Sequence, residues 1–194
     1  MSPQKIVIIG PESTGKSSLC AALAAHYHTA WVPEYAREYL LTHGCDYRPE
    51  DLLAIARGQV MLEDRYSTQA VAAGQELLFI DTDLYVIKVW SEFVFDRCDR
   101  WILEQIAARR YDAYLLCRND LPWVKDELRE YPDPVIRERL YHIYRDILIQ
   151  QDTPWAEIGG QGEERVAAGI AAVDRVTAII SEYRDRSAGS PSVR

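Results

Sequence analysis

The sequence predicts an α/β protein in which a central parallel five-stranded sheet carries helices on both faces. Short apolar runs alternate along the chain with longer amphipathic stretches, a pattern typical of parallel strands joined by crossover helices. A glycine-rich motif stands directly between the first apolar run and the first helical stretch, as in folds that bind phosphate at a strand–helix turn. The 194 residues are enough to bury a full core. We therefore expect three layers, with the sheet in the middle.

Each element follows from its periodicity. The apolar runs that we predict as strands are residues 5–9, 30–32, 77–80, 113–117 and 155–158. The stretches with helical spacing are residues 15–27, 50–73, 84–94 and 99–110. A last helix carries a one-sided apolar stripe of Val166, Ile170, Val173, Thr177 and Ile180.

Composition divides the chain into one domain and a tail. We expect a single domain over residues 1–183, since no second alternating pattern or internal repeat is present in the sequence. Residues 118–134 interrupt the alternation, because they are polar and marked by proline. Small and polar residues predominate in 184–194, which we predict to be a disordered tail.

The glycine-rich motif reads G-P-E-S-T-G-K-S over residues 10–17 and predicts a P-loop. Glycine permits backbone conformations in which successive N–H groups point at phosphate oxygens, and the following helix adds positive potential at its N-terminus. Lys16 would reach the β- and γ-phosphates, and the Ser17 hydroxyl would help to hold Mg²⁺. The expected architecture is therefore a three-layer P-loop NTPase fold. The candidate nucleotide-binding residues of the loop are Gly10, Glu12, Ser13, Thr14, Gly15, Lys16 and Ser17.

Bulk properties argue against several classes of function. The net charge is −8 and the sequence pI about 5.0, so we expect no broad nucleic-acid-binding surface. No apolar run approaches the length of a membrane span, and the N-terminus lacks the apolar segment of a signal peptide. The four scattered cysteines are typical of reduced thiols in a cytoplasmic protein. The oligomeric state is not determined by the sequence, which is compatible with a homo-oligomer.

Carboxylates follow two of the predicted strands. Asp81 ends the third strand, where a P-loop enzyme needs a carboxylate to hold Mg²⁺ directly or through water. Asp83 either joins this site or caps the next helix, since aspartate is a strong N-cap residue. Glu34 follows the second strand, opposite the P-loop, and could accept the proton of an attacking hydroxyl. Arg37, three residues later, either faces a substrate with Glu34 or forms an exposed ion pair with it.

Three further segments have two interpretations each. Residues 118–134 carry basic side chains around Trp123 and form either a lid that closes over phosphates or a solvated connector. The glycines of 159–162 either let the backbone approach a flat base or form the turn that starts a helix. The aromatic cluster of 85–95, with Trp90 and Phe93, either sandwiches a ring of the ligand or packs in the core.

Together these segments resemble the ribosylnicotinamide kinase domain of the NadR family, within the wider NadR-type P-loop ATPase group. The resemblance rests on the P-loop, on E-Y-A-R-E at 34–38, on F-I-D-T-D at 79–83, and on L-L-C-R-N-D-L-P-W-V-K-D-E-L-R at 115–129. The last segment is similar to the family's L-L-(K/R)-N-x-x-x-W-V-x-D-x-L-R pattern, which is more distinctive than any P-loop. The resemblance extends from residue 5 to about residue 183.

The resemblance implies a fold related to nucleoside and nucleoside-monophosphate kinases, with a lid. The implied activity is ATP-dependent phosphorylation of the 5′-hydroxyl of nicotinamide riboside to nicotinamide mononucleotide, with Mg²⁺ as cofactor. The residues assigned to catalysis are Lys16, Glu34, Arg37 and Asp81. Those assigned to the acceptor are Glu34, Tyr35, Arg37, Asp81, Asp83 and Trp90. Nucleotide binding extends from the loop to Ser18, Arg118 and Arg129, the lid residues are Arg118, Trp123 and Arg129, and the Mg²⁺ ligands are Ser17 and Asp81.

One departure from the family concerns length. The full NadR protein carries a nucleotidyl-transferase domain before its kinase domain, whereas here the first strand starts at residue 5. We therefore expect a stand-alone kinase domain, with any adenylyl transfer that makes NAD carried out by another protein. Two other functions stay open at this point. One is a kinase for another nucleoside or small molecule, and the other is a nucleotide-dependent switch ATPase that binds a protein partner.

Overall fold

The computed structural model describes residues 2–188, and the side chains of residues 2–180. At its centre lies a five-stranded sheet in the order β2-β3-β1-β4-β5. All four neighbouring pairs of strands are parallel, as the alternating pattern predicts. The strands are β1 Gln4–Ile9, β2 Trp31–Val32, β3 Leu77–Asp81, β4 Ala113–Cys117 and β5 Trp155–Ile158.

Seven helices occur in the described part of the chain. They are α1 Lys16–His26, α2 Tyr35–His43, α3 Pro49–Ala72, α4 Leu84–Phe95, α5 Arg100–Ala108, α6 Pro134–Ile149 and α7 Gly162–Ala188. Sequence reasoning missed α2 and α6 as separate helices. For α6 the available signal was Asp133 before Pro134, because the Asp133 carboxylate accepts a hydrogen bond from the N–H of Val135 at 2.8 Å and proline favours the first helical position.

The two faces of β1 show how the layers form. Ile6 and Ile8 point into a cluster with α1 and α7, whereas Val7 and Ile9 point into a cluster with α4 and α6. This alternation follows from the two-residue period of a strand. A third cluster lies between α2, α3, α4 and α5. The predicted three-layer fold is confirmed, and it turns the carboxyl ends of all five strands to one edge of the sheet.

The last helix differs from its prediction at both ends. It starts at Gly162, four residues before the apolar stripe begins, and runs through Ala188. The first five residues of the predicted tail, 184–188, thus belong to this helix, in keeping with the good helix propensity of arginine and alanine. Residues 189–194 lie outside the described residues. Across residues 2–188, no helix is long and apolar enough to cross a membrane.

Candidate functional site

A cleft opens at the carboxyl edge of the sheet, between the P-loop and residues 128–131. Its cavity measures about 260 Å³, and its walls come from the P-loop, the start of α2, α4 and the segment before α6. One lysine, two arginines and three glutamates line it together with apolar side chains. The charged residues are Glu12, Lys16, Glu34, Arg37, Arg129 and Glu130, and the large apolar and aromatic ones are Leu40, Val86, Trp90, Phe93, Leu128, Tyr131, Leu140 and Tyr144.

Two glycines permit the path of the P-loop backbone. Gly10 has φ 143°, and a Cβ at this position would lie 2.7 Å from the carbonyl oxygen of Cys117 on β4. Gly15 has φ 75° and is the N-cap of α1. Side chains at either position would be strained, because this left-handed region suits glycine alone. The loop therefore turns tightly over the sheet edge and presents the N-terminus of α1 to the cleft.

Lys16 and its neighbours occupy the first turn of α1. The Lys16 Nζ donates a hydrogen bond to the carbonyl oxygen of Pro11 at 2.9 Å, so its ammonium lies across the loop. The buried Thr14 hydroxyl donates to the same carbonyl at 2.8 Å. Ser17 and Ser18 are exposed and line the cleft. The structure thus brings together every loop residue predicted from the motif around one concave backbone.

Two buried arginines hold the P-loop from behind, and sequence reasoning missed both. Arg165 of α7 donates to the carbonyl oxygens of Thr14 at 3.1 Å and Ile158 at 3.2 Å, and it pairs with Asp120. Arg137 of α6 donates to the carbonyl oxygen of Leu121 at 3.2 Å. Buried guanidinium groups need such partners. For Arg165 the only signal in the sequence was a charge next to the apolar stripe of its helix.

Glu34 and Asp81 form a pair of carboxylates that face Lys16. Glu34 is the N-cap residue of α2 and keeps part of its surface open to the cleft. Loss of water around Glu34 raises its pKa, which Lys16 lowers and Asp81 raises further. Burial likewise raises the pKa of Asp81, against opposing effects of Lys16 and the Ser17 hydroxyl. Like charges that share one cation in a dry site favour a shared proton or a further cation.

Asp81 keeps one acceptor atom unused. Its Oδ2 is buried and has no hydrogen-bond partner among the described residues. The next residue, Thr82, has φ 73°, a strained conformation for a β-branched side chain. Such strain is typical of functional turns at the end of a strand. The free oxygen and the strained turn make the end of β3 a candidate ligand site.

The structure separates Asp83 from the cleft. Its carboxylate caps α4 by accepting from the N–H of Tyr85 at 2.9 Å, and it accepts from the Tyr114 hydroxyl at 2.9 Å. Burial raises the pKa of Asp83 to about 7. Of the two alternatives for this residue, the geometry agrees with the helix cap, because the side chain is fully buried behind the site.

Arg37 and Tyr35 point in different directions. Arg37 lines the cleft and donates to Asp126 of the 118–134 segment, with nitrogen–oxygen distances of 3.3 Å. Its predicted pairing partner was Glu34, so the ion pair forms with a different carboxylate. The Tyr35 ring packs on Gly58 of α3, so closely that a Cβ added to Gly58 would lie 2.0 Å from the ring. Tyr35 is thus turned away from the cleft, and its N–H donates to Gln59 at 2.7 Å.

Residues 118–134 lie over the P-loop without a helix or strand of their own before α6. The Trp123 indole N–H donates to Glu12 at 2.8 Å, and Arg129 lines the cleft while donating to the carbonyl oxygen of Val124 at 2.5 Å. Arg118 lies outside the cleft lining and forms an ion pair with Glu157 at 2.6 Å. The structure therefore brings Trp123 and Arg129 to the site but not Arg118.

Aromatic side chains form the wall opposite the P-loop. Trp90 and Phe93 of α4 line the cleft, with Tyr131 edge-on to Phe93 at a ring-centre distance of 5.5 Å. The Trp90 indole N–H donates to the Tyr47 hydroxyl at 2.9 Å, and this hydroxyl donates to Glu130 at 2.7 Å. The rings therefore pack on one another, as one of the two interpretations predicts, and Trp90 and Phe93 also face the cavity. Whether they hold a ring of the ligand stays a prediction.

The glycines after β5 form the turn that starts α7. Gly160 has φ 85°, its N–H donates to Asp120 at 2.8 Å, and its carbonyl oxygen accepts from Arg165 at 2.9 Å. A second, more open depression lies next to this turn, lined by Gly15, Ser18, Leu121, Gly162 and Val166 among others. It shares Gly15 and Ser18 with the lining of the first cleft, and Glu34 is not among its lining residues.

A family model for an AAA domain matches residues 5–165 of the chain. The chain belongs to this AAA domain family, AAA_28. The match begins at β1, extends to Arg165 in α7, and so includes the P-loop, the cleft and residues 118–134.

Two relatives of this AAA_28 chain are trifunctional NAD biosynthesis/regulator proteins NadR. The Salmonella typhimurium protein is 27% identical over 159 residues, which are 79% of this chain and 37% of the relative. The Escherichia coli protein is 26% identical over 185 residues, which are 92% of this chain and 43% of the relative. The predicted resemblance to NadR is confirmed. The chain spans less than half the length of these relatives.

Solved structures agree on the fold. A NadR protein in complex with NR has a TM-score of 0.73 at 23% identity, covering 91% of this chain and 50% of the other. A NadR protein in complex with NAD and AMP-PNP has a TM-score of 0.71 at 22% identity, with the same coverage. Thymidylate kinase from Ehrlichia chaffeensis has a TM-score of 0.61 at 10% identity, covering 91% of this chain and all of the other.

Proposed function

We propose that this AAA_28 chain is a kinase that transfers the γ-phosphoryl group of ATP to the 5′-hydroxyl of nicotinamide riboside. The single observation that carries the proposal is the cleft itself, where a P-loop faces the carboxylate of Glu34 and an aromatic wall. The NadR relatives support it, because solved NadR proteins hold NR in one case and NAD with AMP-PNP in the other. The products are ADP and nicotinamide mononucleotide.

The donor side of the cleft suits a nucleoside triphosphate. Backbone N–H groups of the loop and the N-terminus of α1 provide positive potential without mobile side chains. The Lys16 ammonium lies across the loop, where it donates a hydrogen bond to the carbonyl oxygen of Pro11. It can exchange this hydrogen bond for one to a phosphate oxygen. We place the adenine ring in the open depression next to Ser18 and Gly162, since its lining begins at the loop residue Gly15. Positioning and charge stabilisation are the main demands of phosphoryl transfer.

The residues at the end of β3 fit a magnesium ion. The free Oδ2 of buried Asp81 and the Ser17 hydroxyl are hard oxygen donors next to the phosphate site. Ser17 and Asp81 would hold the ion, since magnesium is usually bound by one or two protein oxygens together with substrate phosphates and water. When bound, the ion would neutralise charge on the phosphate oxygens.

Glu34 is the residue that meets the acceptor hydroxyl. Its raised pKa keeps it a better proton acceptor than an ordinary carboxylate, and Lys16 lies on the opposite side of the same space. Glu34 accepts the hydroxyl proton as the oxygen–phosphorus bond forms and the bond to ADP breaks. Arg37 and Arg129 are the other cations of the cleft, and they stabilise the charge on the transferring group.

The aromatic wall suits a flat, cationic ring. The pyridinium ring of nicotinamide riboside carries a positive charge, which aromatic faces and carboxylates both attract. Trp90 and Phe93 supply the faces, and Glu130 supplies a carboxylate next to them. A neutral pyrimidine gains the stacking but not the charge term, so we expect nicotinamide riboside to be the better acceptor.

A coupled assay of ADP release tests the proposal. Nicotinamide riboside, adenosine, guanosine, cytidine and uridine are compared as acceptors with Mg·ATP, and the Lys16→Met protein, purified in the same way, reports contaminating kinases. We expect the highest kcat/KM with nicotinamide riboside. A higher value with another nucleoside would replace the acceptor but keep the kinase. Nucleotide binding without any acceptor-dependent turnover would overturn the kinase and leave a nucleotide-dependent switch.

A further inference from the structure

The side chain of Glu12, the third residue of the P-loop motif, accepts hydrogen bonds from three donors. Its Oε1 accepts from the Trp123 indole N–H and from the backbone N–H of Tyr131, both at 2.8 Å. Its Oε2 accepts from the backbone N–H of Glu130 at 3.0 Å. All three donors belong to residues 118–134. One carboxylate of the phosphate-binding loop thus holds the overlying segment at its middle and near its end.

Further contacts join the same two segments. The Ser13 hydroxyl accepts from the N–H of Val124 at 3.1 Å. Arg137 donates to the carbonyl oxygen of Leu121 at 3.2 Å and contacts that of Ser13 at 3.5 Å. The overlying segment is therefore attached to the two loop residues that precede Thr14, and in Glu12 the attachment carries a full negative charge.

The negative charge of Glu12 lies in the phosphate-binding loop, where it would be expected to disfavour a nucleotide. A free carboxylate next to a triphosphate repels it, because like charges oppose each other strongly where water is displaced. Here three N–H groups satisfy both oxygens of Glu12, so the charge is compensated by the overlying segment and not by the nucleotide. The same contacts hold the segment that carries Arg129 and Tyr131 against the cleft.

We propose that Glu12 is a positioning residue that fastens residues 118–134 over the P-loop, and that it does not itself bind the nucleotide. By holding this segment, Glu12 sets Arg129 and Tyr131 at the cleft and keeps water from the transferring phosphoryl group. The effect on transfer rests on the proposed kinase function. The effect on the segment and on nucleotide affinity does not, so the two can fail separately.

Hydrogen exchange of the protein with bound Mg·AMP-PNP tests the attachment directly. In Glu12→Gln and Glu12→Ala, we expect exchange at the N–H groups of Glu130 and Tyr131 to rise about tenfold or more, since their charged acceptor is lost. We expect the affinity for Mg·AMP-PNP to stay within about threefold or to increase, because a negative charge near the phosphates is removed. Glu76→Gln, at the opposite end of the sheet, removes the same charge and serves as control.

The turnover assay adds a readout that a purely structural role would not change. With nicotinamide riboside present, we expect the ratio of ATP hydrolysis to phosphoryl transfer to rise about tenfold in Glu12→Gln, as a water-excluding cover is loosened. Trp123→Phe removes one donor but keeps the ring, and we expect a smaller change in the same direction that is not additive with Glu12→Gln. This variant also tests the proposal if the Glu12 variants fail to fold.

Two results would overturn the proposal. One is unchanged exchange at Glu130 and Tyr131 in folded Glu12→Ala. The other is a loss of more than about tenfold in affinity for Mg·AMP-PNP, the fold-change expected when a direct contact to the nucleotide is removed. The first result would remove the positioning role, and the second would return Glu12 to the nucleotide-binding residues, as the motif alone suggested. If the wild type shows no transfer at all, the exchange experiment still decides the role of Glu12.

Discussion

The two halves of the cleft are built in different ways. The phosphate half is made of backbone, which two glycines and the N-terminus of α1 hold in shape, and which buried Arg165 supports from behind. The half that we propose for the acceptor is made of side chains, with Glu34 from the end of β2, Trp90 from α4 and Arg129 from the overlying segment. The phosphate half is therefore specified locally, whereas the acceptor half exists only when distant elements meet.

The arginines of the two halves also differ, in their burial and in their partners. Arg165 is almost completely buried and satisfied by carbonyl groups and Asp120. Arg37 is half exposed and paired with Asp126 of residues 118–134 at 3.3 Å. An exposed pair of this kind contributes little to stability, so Arg37 can leave Asp126 for a phosphate at small cost. The arginine behind the P-loop is therefore fixed by its partners, whereas the arginine of the proposed acceptor half can change its partner.

The largest effect should come from the phosphate half. We expect Lys16→Met to lower acceptor-dependent turnover by about 10³-fold, because the ammonium that stabilises charge on the transferring group is lost. The measurement is kcat for ADP release with nicotinamide riboside. Lys88→Met, which removes an ammonium paired with Glu92 on the surface of α4, should leave kcat unchanged. Equal losses in both variants would contradict the role of Lys16.

On the acceptor side, Glu34→Gln should lower kcat by about 10²-fold or more while the KM for ATP changes little. The amide cannot accept the hydroxyl proton but keeps the shape of the side chain. Glu38→Gln is the matched control, since Glu38 is exposed on the same helix, one turn further on. If Glu34→Gln turned over normally, Asp81 would replace it as the base, because the structure separates Asp83 from the cleft.

Truncating the aromatic wall of the cleft should have a smaller effect, on the KM for the acceptor. We expect Trp90→Ala to raise the KM for nicotinamide riboside about tenfold, with the KM for ATP unchanged, because the aromatic face for the cationic ring is removed. Trp101→Ala truncates a partly buried tryptophan of the same core cluster away from the cleft lining. A similar rise in Trp101→Ala would mean that the effect comes from the loss of core packing.

The smallest effect should be on the pH dependence of stability, through the buried carboxylate of Asp83 behind the cleft. Asp83 has a pKa of about 7 in the folded protein, above its ordinary value, so the protonated form is favoured by folding. Between pH 6 and pH 8 the folded protein loses this proton while the unfolded carboxyl is already ionised, and the free energy of unfolding should fall with rising pH. In Asp83→Asn, we expect the free energy of unfolding to fall by on the order of 1 kcal/mol less than in the wild type between pH 6 and pH 8.

Urea denaturation at pH 6, 7 and 8 measures this difference. Asp99→Asn is the matched control, since Asp99 caps α5 by the same contact to a backbone N–H but on the surface. We expect the control to keep the pH dependence of the wild type. An equal fall in the free energy of unfolding of the wild type and Asp83→Asn would contradict the role of Asp83.

Much of the fold followed from local pattern. All five strands and the P-loop were predicted, because a run such as Ile6–Ile9 is apolar on both faces and the motif follows it at once. Helix α6 was missed because its start resembles a proline-marked loop. Asp83 had two interpretations, and its burial agrees with the helix cap. Trp90 also had two, and its place in the cavity wall leaves the ligand-binding role a prediction.

By itself, the sequence determined the layer order, the phosphate loop and the residues eligible for the acceptor site. The physical reason is that a glycine-rich loop and a strand are specified by conformational preferences within about ten residues. Only the tertiary structure decided that Trp123 reaches Glu12 across 111 residues, that Arg165 reaches Thr14 across 151, and that Tyr35 turns away onto Gly58. Such contacts depend on the sheet order, which brings β1, β4 and β5 side by side, and no local preference encodes them.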